Sequence, residues 1–527
     1  MKYNIYRRQQ TFRDSFVYPY KMDVEFLRYQ FEDGYYGVIT KNGFKIGVRH
    51  IQMMYMLASA ISMGFIRGSM GVAVLAVIDP TRRDDTYIKI HNWDGKIQGS
   101  VLSSFFFGYA LMVLPSELYL RRFGGKLQTT VILLINGVLC VAMPTIINKG
   151  GWVAACNAML FMGMTHACFH TVNRSLFEQW MPPNERKIFS CLIYGGVQIG
   201  IVTALPISGL LSSAPLGWEL VYYALAMLAL SMAIISGTLT ASSPGDHQAV
   251  GDAEMEFIKS TLINYKKKEI NRPWREILKS MRFWAVAGAH ASSNAIFVFF
   301  IVHTPSYLMT YGLSLENSAW YSMFPFIAMA ATYTVLSPFI DWVYTIRYIH
   351  YIFSASFFRK LINGLGAFGI VMGLTVLPNF PREWSCPAIL VVTAILALLG
   401  FQFCGFLSTY KDMSENYCGT LMTISCTVSS AVGAAVPFVA GLILGDDMSN
   451  VENWRVIMLS LASLHMLSSV IYTTCASNER QHWDHINNHD KHRLGHYNGV
   501  MDHHQVPMEE YGHENLGLQR HELDTAL

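Results

Sequence analysis

Twelve apolar stretches of about twenty residues, parted by short polar turns, leave this chain few folds to choose from. They run over roughly 51–78, 99–120, 127–146, 152–178, 189–211 and 219–240, then 283–308, 318–341, 358–378, 386–408, 417–443 and 455–476. Each is long enough to cross the hydrocarbon of a bilayer, where only helices or closed barrels can satisfy their own backbone polar groups. The expected fold class is therefore an all-α membrane protein with twelve transmembrane helices. Six spans precede a polar segment, 241–282, and six follow it, with a lone echo of Glu117 and RRFGGK in Asp341 and Arg347. That division predicts two pseudo-symmetric six-helix bundles, 46–240 and 283–476, with a site between them near the midplane. Residues 1–45 and the central loop, 241–282, are expected in the cytosol. So is a His-rich, disordered tail, 477–527.

Composition agrees with lipid as the solvent. Of 527 residues, 52% are hydrophobic and 14% charged, and the formal net charge of +3 gives no reason to expect a nucleic-acid partner. Lys and Arg set the orientation: 17 fall in the loops on the side of the N-terminus and 6 in the opposite loops, so both termini are expected in the cytosol. No cleavable signal pattern stands out in residues 1–45, and the first apolar run is expected to direct insertion. The nine cysteines mostly lie in apolar runs and imply no disulfide framework. The Asn-x-Ser match at Asn173 lies inside a predicted span, out of reach of glycosylation. The tail holds nine of 18 histidines; His485, His489, His492 and His496 could share a helical face, but lack the companions of a metal site, and no metal is assigned. HExxH, G-x-S-x-G and P-loop patterns are missing from any suitable setting, so the chain is not expected to be an enzyme.

Polar groups inside the apolar runs carry the chemistry. The fourth span holds His166, His170 and Arg174, with Glu178 beyond, at four-residue spacing. On a helix they form one stripe drifting by about 40° per step. Ionisable groups cost roughly 2.5–3.5 kcal/mol each at mid-membrane, so this stripe should face a bundle interior or a water-filled path. The first span holds Arg67, whose planar guanidinium suits a carboxylate or phosphate, from a substrate or from an acid elsewhere in the bundle. Imidazole titrates near neutrality, so His166 and His170 are candidates to carry a coupling proton, or else sit neutral and hydrogen-bonded to helix neighbours. His290 and His303 of the seventh span are weaker candidates. Tyr109 and Tyr194 could line the cavity and donate to an anion, or simply pack.

Several stretches together resemble the solute carriers that include sialin, the vesicular glutamate transporters and the type I sodium–phosphate cotransporters, within the major facilitator superfamily. They are GFIRGSMGVAVLAV (64–77), SSFFFGYALMVLP (103–115) with RRFGGK (121–126), PPNER (182–186), GGVQIGIVTALPISG (195–209), PWREILKSMRFWAVAGAHAS (273–292), TPSYL (304–308), GTLMTISCTVSSAVGAAVPFVAG (419–441) and ASNERQHWD (476–484). The resemblance covers about 45–484. It implies a transporter of organic anions or phosphate, with Arg67 at the family's anion-binding arginine and Asn294 matching sialin. The fourth span departs from the family's pattern: Met159 and His166 stand where an arginine and a proton-coupling glutamate are usual, Arg174 where a histidine is, and Leu102 replaces a second-span histidine. An aromatic cluster of the seventh span has become Ala295, Ile296, Phe297 and Val298. These departures disfavour glutamate and sialic acid as substrates.

The sequence thus predicts a secondary active transporter of a small anion, phosphate or organic, working by alternating access and driven by protons, sodium or membrane potential. Arg67, Tyr109, Tyr194 and Asn294 are the expected substrate contacts, and His166 and His170 the proton carriers. Arg174 is expected to add positive potential, and Glu117, Arg121, Arg122 and Asp412 to form the cytosolic gate. No organic cofactor is expected. The chain is expected to be monomeric in the plasma membrane or an endolysosomal or vesicular membrane. The alternative is an anion receptor or scaffold that keeps the fold without flux.

Overall fold

A computed structural model describes residues 47–484, apart from 83–86, 88, 183–184, 264–272, 346–353, 415 and 478. The long helices are α1 (Val48–Ile78), α2 (Gly95–Phe123), α3 (Gly125–Trp180), α4 (Arg186–Ser212) and α5 (Gly217–Leu239). Two short ones, α6 (Asp252–Ile263) and α7 (Trp274–Lys279), lie in the central segment. The second half contains α8 (Met281–Met309), α9 (Leu315–Thr345), α10 (Ala355–Val376), α11 (Ser385–Met413), α12 (Cys418–Leu444) and α13 (Val451–Cys475). Among the described residues, 11 helices are long and apolar enough to span a bilayer. The twelfth crossing is hidden in α3. Its 56 residues extend about 84 Å at 1.5 Å per residue, far more than a roughly 30 Å hydrocarbon layer needs. At Gly151 the backbone leaves the helix with φ 67° and ψ −165°, which divides α3 into two crossings.

The contacts repeat with a period of six spans. In the first half α1 packs on α4 and α5, α2 on α3, and α3 on α5; in the second, α8 packs on α12 and α13, α9 on α11, and α10 on α13. The halves meet through α2 with α12, α4 with α9, and α1 with α8. This is the twelve-helix, two-bundle architecture expected from the apolar runs. Large apolar side chains such as Met227, Val335, Phe368 and Leu390 point outward, where lipid would cover them.

Small residues set how closely these helices approach, because apolar surface gives helices in lipid no reason to associate beyond close packing. A Cβ on Gly163 of α3 would lie 1.9 Å from the Phe105 carbonyl oxygen, and one on Gly64 of α1 would lie 2.1 Å from that of Val197. The face remote from the start of α1, the distal face, is closed in the same way between halves. The Gly95 N–H donates to the Gly445 carbonyl at 2.7 Å, and a Cβ on Gly441 would lie 2.4 Å from the Gly95 carbonyl oxygen. Alongside, Gln98 Nε2 lies 3.0 Å from Met448 Sδ. On the other flank Gly209 packs on Ala319, and Ser213 Oγ donates to Glu316 at 2.9 Å.

The opposite, proximal face is tied by charge within each half. Glu254 of α6 accepts from the free N–H groups of Val48 and Arg49 at the start of α1 (3.0 and 3.1 Å), a favourable place for a carboxylate. Arg49 also bridges Glu254 and Glu185 and lies over the Phe257 ring at 5.3 Å. The central segment is thus a docked element, not a plain loop. In the second half residues 479–484 fold back on the proximal end of α11: Asp484 is fully buried, accepts from Ser414 and Asn416, and pairs with Arg480 at 2.6 Å. The four spaced tail histidines from His485 onward lie outside the described residues.

Glycine at the distal seam yields a prediction. Gly441→Leu forces side-chain volume against backbone and should destabilise the distal-closed state by roughly 1–3 kcal/mol. A Gln98→Cys and Met448→Cys pair should cross-link readily in the parent chain and about five- to 150-fold less in Gly441→Leu, as the ratio of cross-linked to free protein.

Candidate functional site

Arg67 sits midway along α1, where the two halves meet. Three aromatic rings surround its guanidinium: Phe106 at 5.4 Å and Tyr109 at 5.6 Å, both from α2, and Phe297 at 5.7 Å from α8. The cage thus draws on both halves. Among the described residues no carboxylate pairs with Arg67, and its buried Nε has no hydrogen-bond partner. A charge withdrawn from water without a counter-ion is costly, and ring faces offset only part of that, about 0.5–2 kcal/mol each. The site is therefore short of one negative charge.

The fourth-span stripe descends from this chamber toward the proximal face. His166 is buried beside the Phe105 ring, at 4.9 Å between centroids. Its Nδ1 lies 2.9 Å from the Met162 carbonyl oxygen and its Nε2 3.2 Å from the Met63 carbonyl oxygen on α1. Both neighbours are acceptors. A neutral ring has one N–H and one lone pair, so it can satisfy one carbonyl only, and a second proton would satisfy both. His170, one turn further, faces the Tyr109 ring at 6.0 Å and lies within electrostatic reach of Arg67. Arg174 is half exposed, pairs with Glu178 at 3.0 Å, and reaches toward Gly419 of α12.

In the second half, Asn294 and His290 of α8 are both hydrogen-bonded to α12. Asn294 of α8 spends its amide N–H on the Ser429 carbonyl at 2.8 Å and packs on Gly433, so it ties α8 to α12. His290 Nδ1 lies 2.9 Å from Ser425 Oγ, which also bonds the Tyr410 hydroxyl. His303 is buried among Phe299 and Trp454. Asp412 pairs with Arg359 at 3.7 Å, between α11 and α10 of the same half. The structure brings together Arg67, Tyr109, His166 and His170. The side chains of Tyr194, Glu117, Arg121 and Arg122 lie outside the described residues. Sequence reasoning did not single out Phe106 or Phe297 as partners of Arg67. The signal was there, in the Phe105–Phe107 run and in the one ring left in the seventh-span cluster.

Comparison with known proteins adds the family. The profile described as Major Facilitator Superfamily matches residues 51–437, well over half of the chain. The chain belongs to the major facilitator superfamily. Similar proteins include a putative inorganic phosphate cotransporter of Drosophila ananassae, 25% identical over 76% of this chain and 83% of that protein. Human sialin is 26% identical over 77% of this chain and 80% of its own, and vesicular glutamate transporter 1 of Xenopus laevis is 23% identical over 82% and 75%. These are the relatives that the sequence motifs resemble. Two solved structures share the fold: a bacterial homologue of the human lysosomal transporter Spinster, in an inward-facing and unoccupied conformation (TM-score 0.62, 16% identity, 82% of this chain and 97% of that one), and a D-xylose–proton symporter (TM-score 0.61, 13% identity, 81% and 99%). Family and structural neighbours alike are transporters, not enzymes.

Within this superfamily fold, the unpaired state of Arg67 can be tested by stability alone. A structural arginine leaves an orphaned partner when removed, which is strongly destabilising. Among the described residues Arg67 has no such partner. Arg67→Met should therefore keep or raise the thermal midpoint of the purified protein in detergent, while anion-induced stabilisation disappears.

Proposed function

We propose that this chain is a secondary active transporter of a small anion, phosphate or organic, that works by rocking two six-helix halves around Arg67. The observation that carries this reading is the caged guanidinium, contacted by rings of both halves and by no carboxylate among the described residues. The names of the relatives point the same way, toward phosphate, sialic acid and glutamate carriers. An anion at Arg67 supplies the missing charge, and charge-assisted bonds to it contribute about 1.5–3 kcal/mol each.

Coupling follows from the neighbourhood of His166. Two carbonyl oxygens lie against its ring nitrogens, and a second proton on the ring would be repelled by the nearby Arg67 charge. An anion bound at Arg67 cancels that repulsion, so proton and anion assist each other's binding. That reciprocity is what a proton–anion symporter requires. His170, between Tyr109 and the proximal mouth, is the next station for the proton, and Arg174 holds positive potential on that route. Both termini lie in the cytosol in this reading, supported by the excess of Lys and Arg in the loops on their side, with the chain in the plasma membrane or an endolysosomal or vesicular membrane.

Uptake into proteoliposomes, with pH, sodium and voltage gradients imposed separately, tests the proposal. Phosphate and organic anions should accumulate under an inward proton gradient, and Arg67→Ala should lower uptake roughly ten- to 150-fold. His166→Gln should bind the anion yet lose the response to the pH gradient. Uptake that follows sodium and ignores pH would reassign the coupling ion. Binding without flux, from folded protein under every gradient, would favour the receptor reading.

A further inference from the structure

The distal face carries a cleft of its own, on the flank where Gly209 packs on Ala319. We propose that it binds an organic monocation, an amine joined to an apolar body, and that its occupancy holds the two halves shut on this face. The proposal goes beyond the anion reading at Arg67 and does not rest on it.

Both halves build the walls. The first contributes Asp79, Thr81 and Arg82 beyond the end of α1, Ser213 at the end of α4, and Trp218 of α5. The second contributes Met309, Leu313 and Glu316, where α8 gives way to α9. The cleft has a volume of about 580 Å³, inside the range of roughly 300–1,000 Å³ usual for small-molecule sites. Trp218, Met309 and Leu313 give it apolar surface against which an aromatic or aliphatic body can lie.

Charge decides what that body must carry. Asp79 is only 7% exposed. Its Oδ1 accepts from the Thr81 N–H at 3.0 Å and the Thr81 hydroxyl at 2.6 Å, and among the described residues no cation pairs with it. Glu316 accepts from Ser213 Oγ at 2.9 Å and likewise meets no cation among the described residues. Arg82 lines the same cleft, but its Nη2 donates to the Ser213 and Ala214 carbonyl oxygens that close α4, at 2.6 and 2.9 Å. Two carboxylates against one guanidinium leave one negative charge. A buried carboxylate without a counter-ion is costly, and an ammonium supplies both the charge and several N–H donors. Among the described residues no third His, Cys, Asp or Glu joins the two acids, so the donor set suits a hydrogen-bonding ammonium and not a coordinated metal ion.

Because its walls come from both halves, the cleft is whole only while the distal face is closed. A ligand that binds one conformation better shifts the population toward it. An amine here adds its contacts to the Ser213–Glu316 hydrogen bond and the Gly209–Ala319 packing that join the halves on this flank.

Equilibrium binding of tryptamine, and of its neutral counterpart tryptophol, to the purified full chain in detergent tests the site. Tryptamine should bind roughly tenfold or more tightly than tryptophol. Asp79→Asn should weaken tryptamine roughly ten- to 150-fold and Glu316→Gln about three- to tenfold, with tryptophol unchanged. In Gly441→Leu carrying Gln98→Cys and Met448→Cys, saturating tryptamine should raise the ratio of cross-linked to free protein about threefold or more, and adding Asp79→Asn should remove that effect. Tryptophol binding as tightly as tryptamine would overturn the proposal, and this comparison on the parent chain holds even if a variant does not fold. Tryptamine binding indifferent to both substitutions, or a fall in cross-linking, would overturn it too. Either result would leave the anion reading at Arg67 standing.

Discussion

A buried charge with no carboxylate beside it among the described residues governs this molecule. Arg67 is held in the middle of a bilayer-spanning bundle by aromatic faces instead of a carboxylate. Ring faces attract a cation but carry no net negative charge, so they steady the guanidinium without neutralising it. A carboxylate at the same place would be an internal counter-ion, and any substrate would first have to displace it. Rings impose no such competition. They also draw the two halves onto one group, because Phe106 and Tyr109 belong to the first bundle and Phe297 to the second.

The seams around this charge explain how it can be exposed to one side at a time. On the distal face, α2 and α12 touch through glycine backbones, close enough for an N–H to carbonyl bond between Gly95 and Gly445. Such a seam sets backbone against backbone, with few side-chain ties across it to undo when it opens: Gln98 with Met448 and Ser103 with the Ala434 carbonyl. On the proximal face strong polar ties stiffen each half: Arg49 with Glu185 and Glu254 in the first, Arg359 with Asp412 and Asp484 with Ser414 in the second. Each bundle is stiffened by its own charges. That is the mechanical condition for rocking about a central site.

Much of this was legible from residues alone. Apolar run lengths located every crossing, because a bilayer imposes one length on all of them. Even the boundary between the third and fourth spans was legible, although α3 continues in register to Gly151 before its backbone turns. The mid-membrane position of Arg67 was equally plain, since a charge in an apolar run stands out. What surrounds it was not. Phe106 and Phe297 are 191 positions apart, and an apolar ring in an apolar span carries no mark of the cation it faces. The docking of α6 was hidden for a similar reason: Glu254 looks like any loop acid until the free N–H groups of α1 are placed above it. Asp412, read as part of the cytosolic gate, pairs with Arg359 of the same half, a partner the sequence did not mark.

The two halves share a fold but not a chemistry. Arg67, His166, His170 and Arg174 all belong to the first bundle. The second carries neutral hydrogen bonds through its interior: Ser293 to Gln402, Gln402 to Asn363, Asn363 to Ser469, and Thr409 to Tyr472, all of them almost fully buried. A satisfied neutral network of this kind fixes helix register without adding charge that would compete for an anion. Pseudo-symmetry therefore divides the labour, with one bundle carrying the charges that bind and the other holding a rigid wall against them. Phe297 is where the wall meets the charge. Any movement of α8 relative to α1 shifts that ring against the guanidinium, so what Arg67 holds and how the halves are set are two aspects of one contact.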